Sequence, residues 1–405
     1  MRPFLVTCLG VACTAALAAA LAPSAGASAG ARPSAKTPAA AAQLPGSTQS
    51  LPVAAPATRG LPARHVRPFS LVGVVWDDAH AELHGRVQVR TRPTGTAAWS
   101  PWQDVQAHHD DAPDLDAAER HGTGVRGSTA PLWVGESDAV QLRITPESGR
   151  RSRGDLPRGL RLELVDPGTE AATPRGAAEL PALGKAASEA SVPAKDGERT
   201  AAHPYIGPRP RIVTRAGWGA DEDLRRGDHR YTDTVRAAFV HHSASGNNYT
   251  CAQAPSVIRA IYRYDITSSR WRDMGYNFLV DKCGTVYEGR AGGVTEPVLG
   301  AHTLGFNENS MGVAVLGTFT ETEPPRAAVR AVGRLTAWKL GLYGVDPRGT
   351  SRLLSGGGNR FEQGSEVELN VISGHRDGFK TKCPGDRLYE KLGHTRDFAA
   401  WLQGR

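Results

Sequence analysis

Two stretches made almost wholly of small and turn-forming residues divide this chain, and they limit what it can fold into more than any other feature. Residues 30–65 are rich in Ala, Pro, Ser and Gly, and residues 169–208 in Ala, Pro, Glu and Lys without regular apolar spacing. Neither can bury enough apolar surface to offset the entropy of ordering its backbone. The first therefore reads as a disordered lead and the second as a linker. What remains is a block at 66–168 and another at 209–405, so a chain of 405 residues is expected to be multidomain.

Ahead of the lead, Met1-Arg2-Pro3 runs into an apolar, alanine-rich stretch from Phe4 to about Ala22, and small residues follow at 25–29. A basic start, an apolar run and a small-residue cleavage site make a signal peptide, expected at 1–29 and cut after Ala27 or Ala29. No second apolar run of that length occurs, so the mature chain is expected to be secreted, with no membrane contact after cleavage. Export changes how the five cysteines read, because Cys8 and Cys13 leave with the signal. Of Cys251, Cys283 and Cys383, two are expected to pair outside the cytosol. The third is left as a reactive thiol, a link to another chain or a metal ligand. The 48 Lys and Arg against 41 Asp and Glu give a net charge of +7 without a long basic block. That suits an anionic polymer such as a cell wall, and without a basic, aromatic-interleaved motif nucleic acid is not an expected partner. No oligomeric state follows from the sequence.

In the first block, "VQVRTR" (87–92), "VQLRIT" (140–145) and "LRLELV" (160–165) alternate with period two between Gly, Pro and Asp turns. Half-buried antiparallel strands follow, and an all-β, sandwich-like domain. Trp76, Trp99, Trp102 and Trp133 suit either core packing or a carbohydrate platform. His108-His109 followed by Asp110-Asp111 suit either a second metal or a polar loop of this domain. In the second block, 237–242, 276–280 and 311–319 read as buried strands. Val329, Val332, Leu335, Trp338 and Leu342 recur at three or four, as on an amphipathic helix. Strands and helices together predict an α/β domain with a mixed central sheet flanked by helices. The glycine-rich stretch 353–370 reads as an extended loop, either bordering a groove or solvated.

Hydrolytic zinc takes three protein ligands and keeps one position for water. A strand ending in His241-His242 can supply one rigid ligand, and "GHRDGFKTKCPGD" (374–386) can turn His375 and Cys383 toward the same point. A structural loop with a buried thiol would use the same residues.

Five motifs extend this reading: "RAGWGA" (215–220), "FVHHSAS" (239–245), "GYNFLVDKCGTVYEGR" (275–290), "GAHTLGFNENSMGVAVLG" (300–317) and "GHRDGFKTKCPGD". In this order the segment 210–392 resembles the peptidoglycan recognition protein family, which belongs with the zinc N-acetylmuramoyl-L-alanine amidases and the phage amidase lysozymes. The resemblance implies one Zn2+ held by His241, His375 and Cys383, with His242 on the opposite face of its strand. It implies Tyr276 as the catalytic tyrosine. Phage enzymes place a lysine two residues before the cysteine ligand, whereas this chain has Thr381, as in the active animal proteins. Family members that only bind peptidoglycan typically lack the cysteine, so Cys383 implies an enzyme rather than a receptor. Cys251 and Cys283 are then left for a disulfide.

His302 and Asn307 match positions beside the family's groove, where they either contact muramyl peptides or fix a turn. Arg215 is a further candidate for substrate contact, and Glu288 and Arg290 read as a turn or a groove wall. The resemblance thus implies cleavage of peptidoglycan between the lactyl group of muramic acid and L-alanine. The alternative is a peptidoglycan-binding protein without catalysis.

Overall fold

The computed structural model describes residues 45–53, 60–106, 111–122, 124–146, 156–168, 177–191 and 205–405. The expected signal peptide lies outside them. Among the described residues no helix is long and apolar enough to cross a membrane.

The first block, together with parts of the lead, builds one seven-stranded antiparallel sheet. Its strands are β1 (Ser47–Pro52), β2 (Gly60–Trp76), β3 (Gly85–Pro93), β4 (Gln103–Val105), β5 (Gly127–Ser128), β6 (Leu132–Pro146) and β7 (Arg161–Asp166), in the order β1-β7-β2-β6-β3-β4 with β5 beside β2. A short helix, α1 (Ala118–Gly122), lies between β4 and β5. The alternation seen in the sequence explains the packing. Along β2, Val72, Val74 and Trp76 enter the domain's own core with Leu162 and Leu164, whereas Leu71 and Val75 face the other way with Trp133 and Val165. Period-two geometry makes both faces of this strand apolar, as its run "SLVGVVW" requires.

The lead is not wholly without structure. Ser47–Pro52 pairs residue by residue with β7, and residues 60–65 open β2. Leu51 and Val53 pack against the core, while Ser50 donates to Glu163 at 2.6 Å. Strand pairing and two apolar side chains order a segment whose composition alone does not. The linker likewise carries β8 (Glu179–Leu180) and α2 (Lys185–Ala190). Leu180 packs on the second domain's core, and the buried Ser188 hydroxyl accepts the Arg209 N–H at 2.9 Å.

The second block forms a mixed sheet in the order β16-β10-β13-β11-β12-β9-β8. It comprises β9 (Ile212–Val213), β10 (Ala237–His242), β11 (Phe278–Val280), β12 (Val286–Glu288), β13 (Ser310–Val315) and β16 (Ile372–Gly374), plus a separate hairpin of β14 (Thr350–Leu354) and β15 (Glu366–Asn370). The glycine-rich stretch expected as a loop is this hairpin with its connection. Central β10 runs parallel to both β13 and β16. The helices are α3 (Arg215–Trp218), α4 (Ala254–Arg263), α5 (Arg326–Gly341), α6 (His375–Gly378), α7 (Asp386–Tyr389) and α8 (Leu392–Gln403). The amphipathic repeat expected beyond Pro325 is α5, whose Val332, Leu335 and Trp338 pack on one sheet face.

Residues Gln43–Arg405 form one compact unit. The outward face of β2 packs on α4 and the π-helical turn Tyr264–Ser268 that continues it. Gly73 makes this possible, since a Cβ there would stand 2.4 Å from the Tyr264 ring. The Tyr264 hydroxyl donates to Thr129 O at 3.1 Å.

Candidate metal centre

Strand β10 alternates Ala237, Phe239 and His241 on one face with Ala238, Val240 and His242 on the other. His241 therefore ends the strand as a rigid donor, while His242 turns away and its Nδ1 accepts the Phe319 N–H at 3.2 Å. His375 begins α6 directly after β16, which places it beside its parallel neighbour β10. Cys383 is brought back by its loop: Arg376 N–H donates to Cys383 O at 3.0 Å, and Arg376 bonds Lys382 O and Asp386 at 2.6 and 2.7 Å. The Thr381 hydroxyl accepts the Cys383 N–H at 3.1 Å.

These constraints gather one donor atom each from His241, His375 and Cys383 within 4.8 Å of one another, all three side chains fully buried. Cys383 Sγ lies 3.7 Å from His241 Nδ1. A tetrahedral zinc with ordinary bond lengths separates such N and S donors by about 3.6 Å. His375 is buried with no hydroxyl, carbonyl or backbone partner at either ring nitrogen; its Nδ1 faces only the Asp111 carboxylate, at 3.2 Å. Burying an imidazole this way is costly unless a ligand takes it, so the residues present fit a metal ion. His241 Nε2 stands 3.4 Å from the Thr303 hydroxyl, the kind of contact that orients a ligating ring.

The Tyr276 ring stacks at a tilt 5.3 Å from that of His241. Burial, then the nearby carboxylate of Asp111, hold its phenol well above the usual tyrosine range, so it remains a donor. His302 is fully buried, edge-on to His241 at 5.4 Å, in space left by Gly312, where a Cβ would stand 2.4 Å from the ring. Burial, followed by the neighbouring His241, pushes it well below the usual histidine range. Asn307 Oδ1 accepts the N–H groups of His302 and Thr303 at 2.7 and 3.0 Å, which fixes the turn. Thr381 lines a cleft of about 790 Å³ between the two domains.

Arg215 is not brought to this cluster. Its buried guanidinium pairs with Glu222 at 2.7 Å and Asp273 at 3.1 Å, and lies over the Trp218 and Tyr262 rings. Glu288 accepts the Arg215 N–H at 3.2 Å. Cys251 and Cys283 are bonded and tie the start of α4 to the turn between β11 and β12. In the β domain, Trp76 and Trp133 are buried in cores, while Trp99 and Trp102 stack with Arg90 and Arg143.

Sequence reasoning missed Asp111. Its Oδ1 lies 3.1 Å from His241 Nδ1 and 3.2 Å from His375 Nδ1, and its Oδ2 accepts the Tyr276 hydroxyl at 2.7 Å. The residue belongs to the polar run singled out for its metal-ligand types, of which His108, His109 and Asp110 lie outside the described residues. The run reads as a second metal site or a polar loop, whereas the structure sets Asp111 beside partners more than a hundred residues away.

A family profile described as N-acetylmuramoyl-L-alanine amidase matches residues 231–386, and one described as Rv3811 N-terminal galactose-binding domain-like matches residues 28–179. Peptidoglycan recognition protein 1 of Bos indicus is 31% identical over 180 residues, covering 44% of this chain and 80% of its own length. The N-acetylmuramoyl-L-alanine amidase of Homo sapiens is 32% identical over 204 residues, covering 48% of this chain but 30% of its own. Among solved structures, peptidoglycan recognition protein LE in complex with tracheal cytotoxin is 27% identical with a TM-score of 0.36, covering 45% of this chain and 92% of that one.

Proposed function

Because the chain belongs to the family of peptidoglycan recognition proteins and N-acetylmuramoyl-L-alanine amidases, we propose that it is a secreted zinc amidase that hydrolyses the amide between the lactyl group of muramic acid and L-alanine. The observation that carries this reading is the buried trio His241, His375 and Cys383, with Tyr276 beside it. A recognition role needs no such trio, and the cost of burying it argues for the enzyme.

His241, His375 and Cys383 would hold the ion, the cysteine as thiolate. A zinc so bound supplies Lewis acidity and lowers the pKa of a water to roughly 7. Thr303 keeps the His241 ring oriented, and Thr381 keeps Cys383 in place through its N–H. When water adds to the lactyl carbonyl, negative charge grows on the carbonyl oxygen, and the Tyr276 hydroxyl donates a hydrogen bond to it. The carbon–nitrogen bond then breaks, and the leaving amine takes the proton given up by the attacking water, relayed through the Tyr276 hydroxyl or a water held by Thr381, so that both groups end as they began. His302 and Asn307 support the wall of the groove.

Prolonged digestion of purified peptidoglycan, read by mass spectrometry, tests the reading. Soluble stem peptides with a free L-alanine N-terminus should appear with the wild type and be missing with Cys383→Ala, which should also lose its zinc. Walls that bind both proteins and stay intact would move the assignment to recognition.

A further inference from the structure

The strongest feature that this function does not use is the segment from Asp111 to Glu119, which the β domain sends into the second domain. Three of its acidic side chains are anchored there. Asp111 sits on the two histidines and Tyr276. Asp114 Oδ1 accepts the Gly305 N–H at 2.6 Å and Asn307 Nδ2 at 2.7 Å, and Asn307 Nδ2 also donates to Ala112 O at 3.0 Å. Glu119 pairs with Arg290, both side chains buried, and accepts the Arg272 N–H at 2.8 Å. Ala112 joins Val125 and Trp271 in a small apolar cluster.

We propose that Asp111 is a resident fourth donor of the metal centre and that the segment 111–119 keeps the enzyme latent. The proposal rests on the zinc reading above. In a tetrahedral zinc site a carboxylate oxygen stands about 3.3 Å from each imidazole nitrogen. Asp111 Oδ1 shows 3.1 and 3.2 Å to the two Nδ1 atoms, and these imidazole nitrogens are the polar partners the structure gives it. An oxygen that activated water would stand one water farther out. The position that hydrolytic zinc keeps for water is thus taken, and the same carboxylate engages the Tyr276 hydroxyl. One side chain occupies both groups the reaction needs. Asp114 on Asn307 and Gly305, and Glu119 on Arg290, hold it there at a high effective concentration.

Full-length protein loaded with cobalt(II) in place of zinc tests the donor directly. Its visible spectrum should not respond to azide in the wild type and should respond in Asp111→Ala and in the double variant Asp114→Ala/Glu119→Gln. The second variant leaves every proposed donor intact, so it answers for the first if Asp111→Ala folds poorly. With zinc, both variants should release stem peptides at least about tenfold faster than the wild type. A wild type that takes azide as readily as the variants overturns the proposal. So does a loss of peptide release in Asp111→Ala with no change in the double variant, which would make Asp111 a working group. A closed wild type and open variants that never release peptides would uphold the latch and overturn the amidase reading.

Discussion

His375 is fully buried, and its ring nitrogens meet no polar group but the Asp111 carboxylate, 3.2 Å from Nδ1. A structural histidine would be expected to find a hydroxyl, a carbonyl or a water, whereas the polar groups near this one are the other members of the cluster and Asp111. Tyr276 completes the pattern as a hydroxyl kept protonated by burial. In an Asp111→Ala background, where the centre is open, Tyr276→Phe should keep zinc and lower stem-peptide release by about a hundredfold. Full turnover in that variant would remove the tyrosine from the mechanism. Lys339 presents another residue-scale test. It is buried in α5 with its Nζ donating to the Val294 and Glu296 carbonyls at 2.8 and 2.7 Å, and burial lowers its ammonium to about 7. Between that value and the unfolded one near 10.5, the unfolded chain binds a proton that the folded chain lacks. Stability attributable to this residue must then rise with pH above 7, by up to about 1.4 kcal/mol per pH unit. Urea unfolding of wild type and Lys339→Met at pH 7 and pH 9 should show the wild type gaining on the variant, and parallel curves would contradict this.

Strand β10 and the loop from α6 to α7 do most of the positioning. Period-two alternation selects His241 over His242, and the β10–β16 pairing sets His375 beside it. That much of the site was legible, because the histidines and the cysteine sit in local motifs whose geometry follows from a strand end and a short loop. Arg215 shows where motif position misleads. Its place in "RAGWGA" marked it for substrate, yet α3 turns it inward to Asp273 and Glu222. Since removing one partner leaves the other charge buried, Arg215→Ala should cost about 3–5 kcal/mol in chemical denaturation. A loss below 1 kcal/mol would mean that Asp273 finds water or another donor.

At the scale of the whole molecule, the two domains share a core rather than a hinge. β2 was legible as a strand, but no periodicity says that its second apolar face is reserved for α4, nor that Gly73 makes room for Tyr264. The same docking delivers Asp111 to a cluster assembled from residues 241, 375 and 383, a meeting that sequence separation conceals. Ordered pieces within the low-complexity stretches were hidden for a related reason. β1 and β8 gain their stability from the strands they pair with, not from their own composition. If the resident carboxylate holds the centre closed, the amidase is most visible once it is gone. The measurement to make is mass spectrometry of the soluble products from purified peptidoglycan treated with zinc-loaded Asp111→Ala and with Asp111→Ala/Cys383→Ala. Abundant stem peptides beginning with free L-alanine from the first and none from the second are the predicted result. Equal release from both, or cleavage at any other bond, would contradict it.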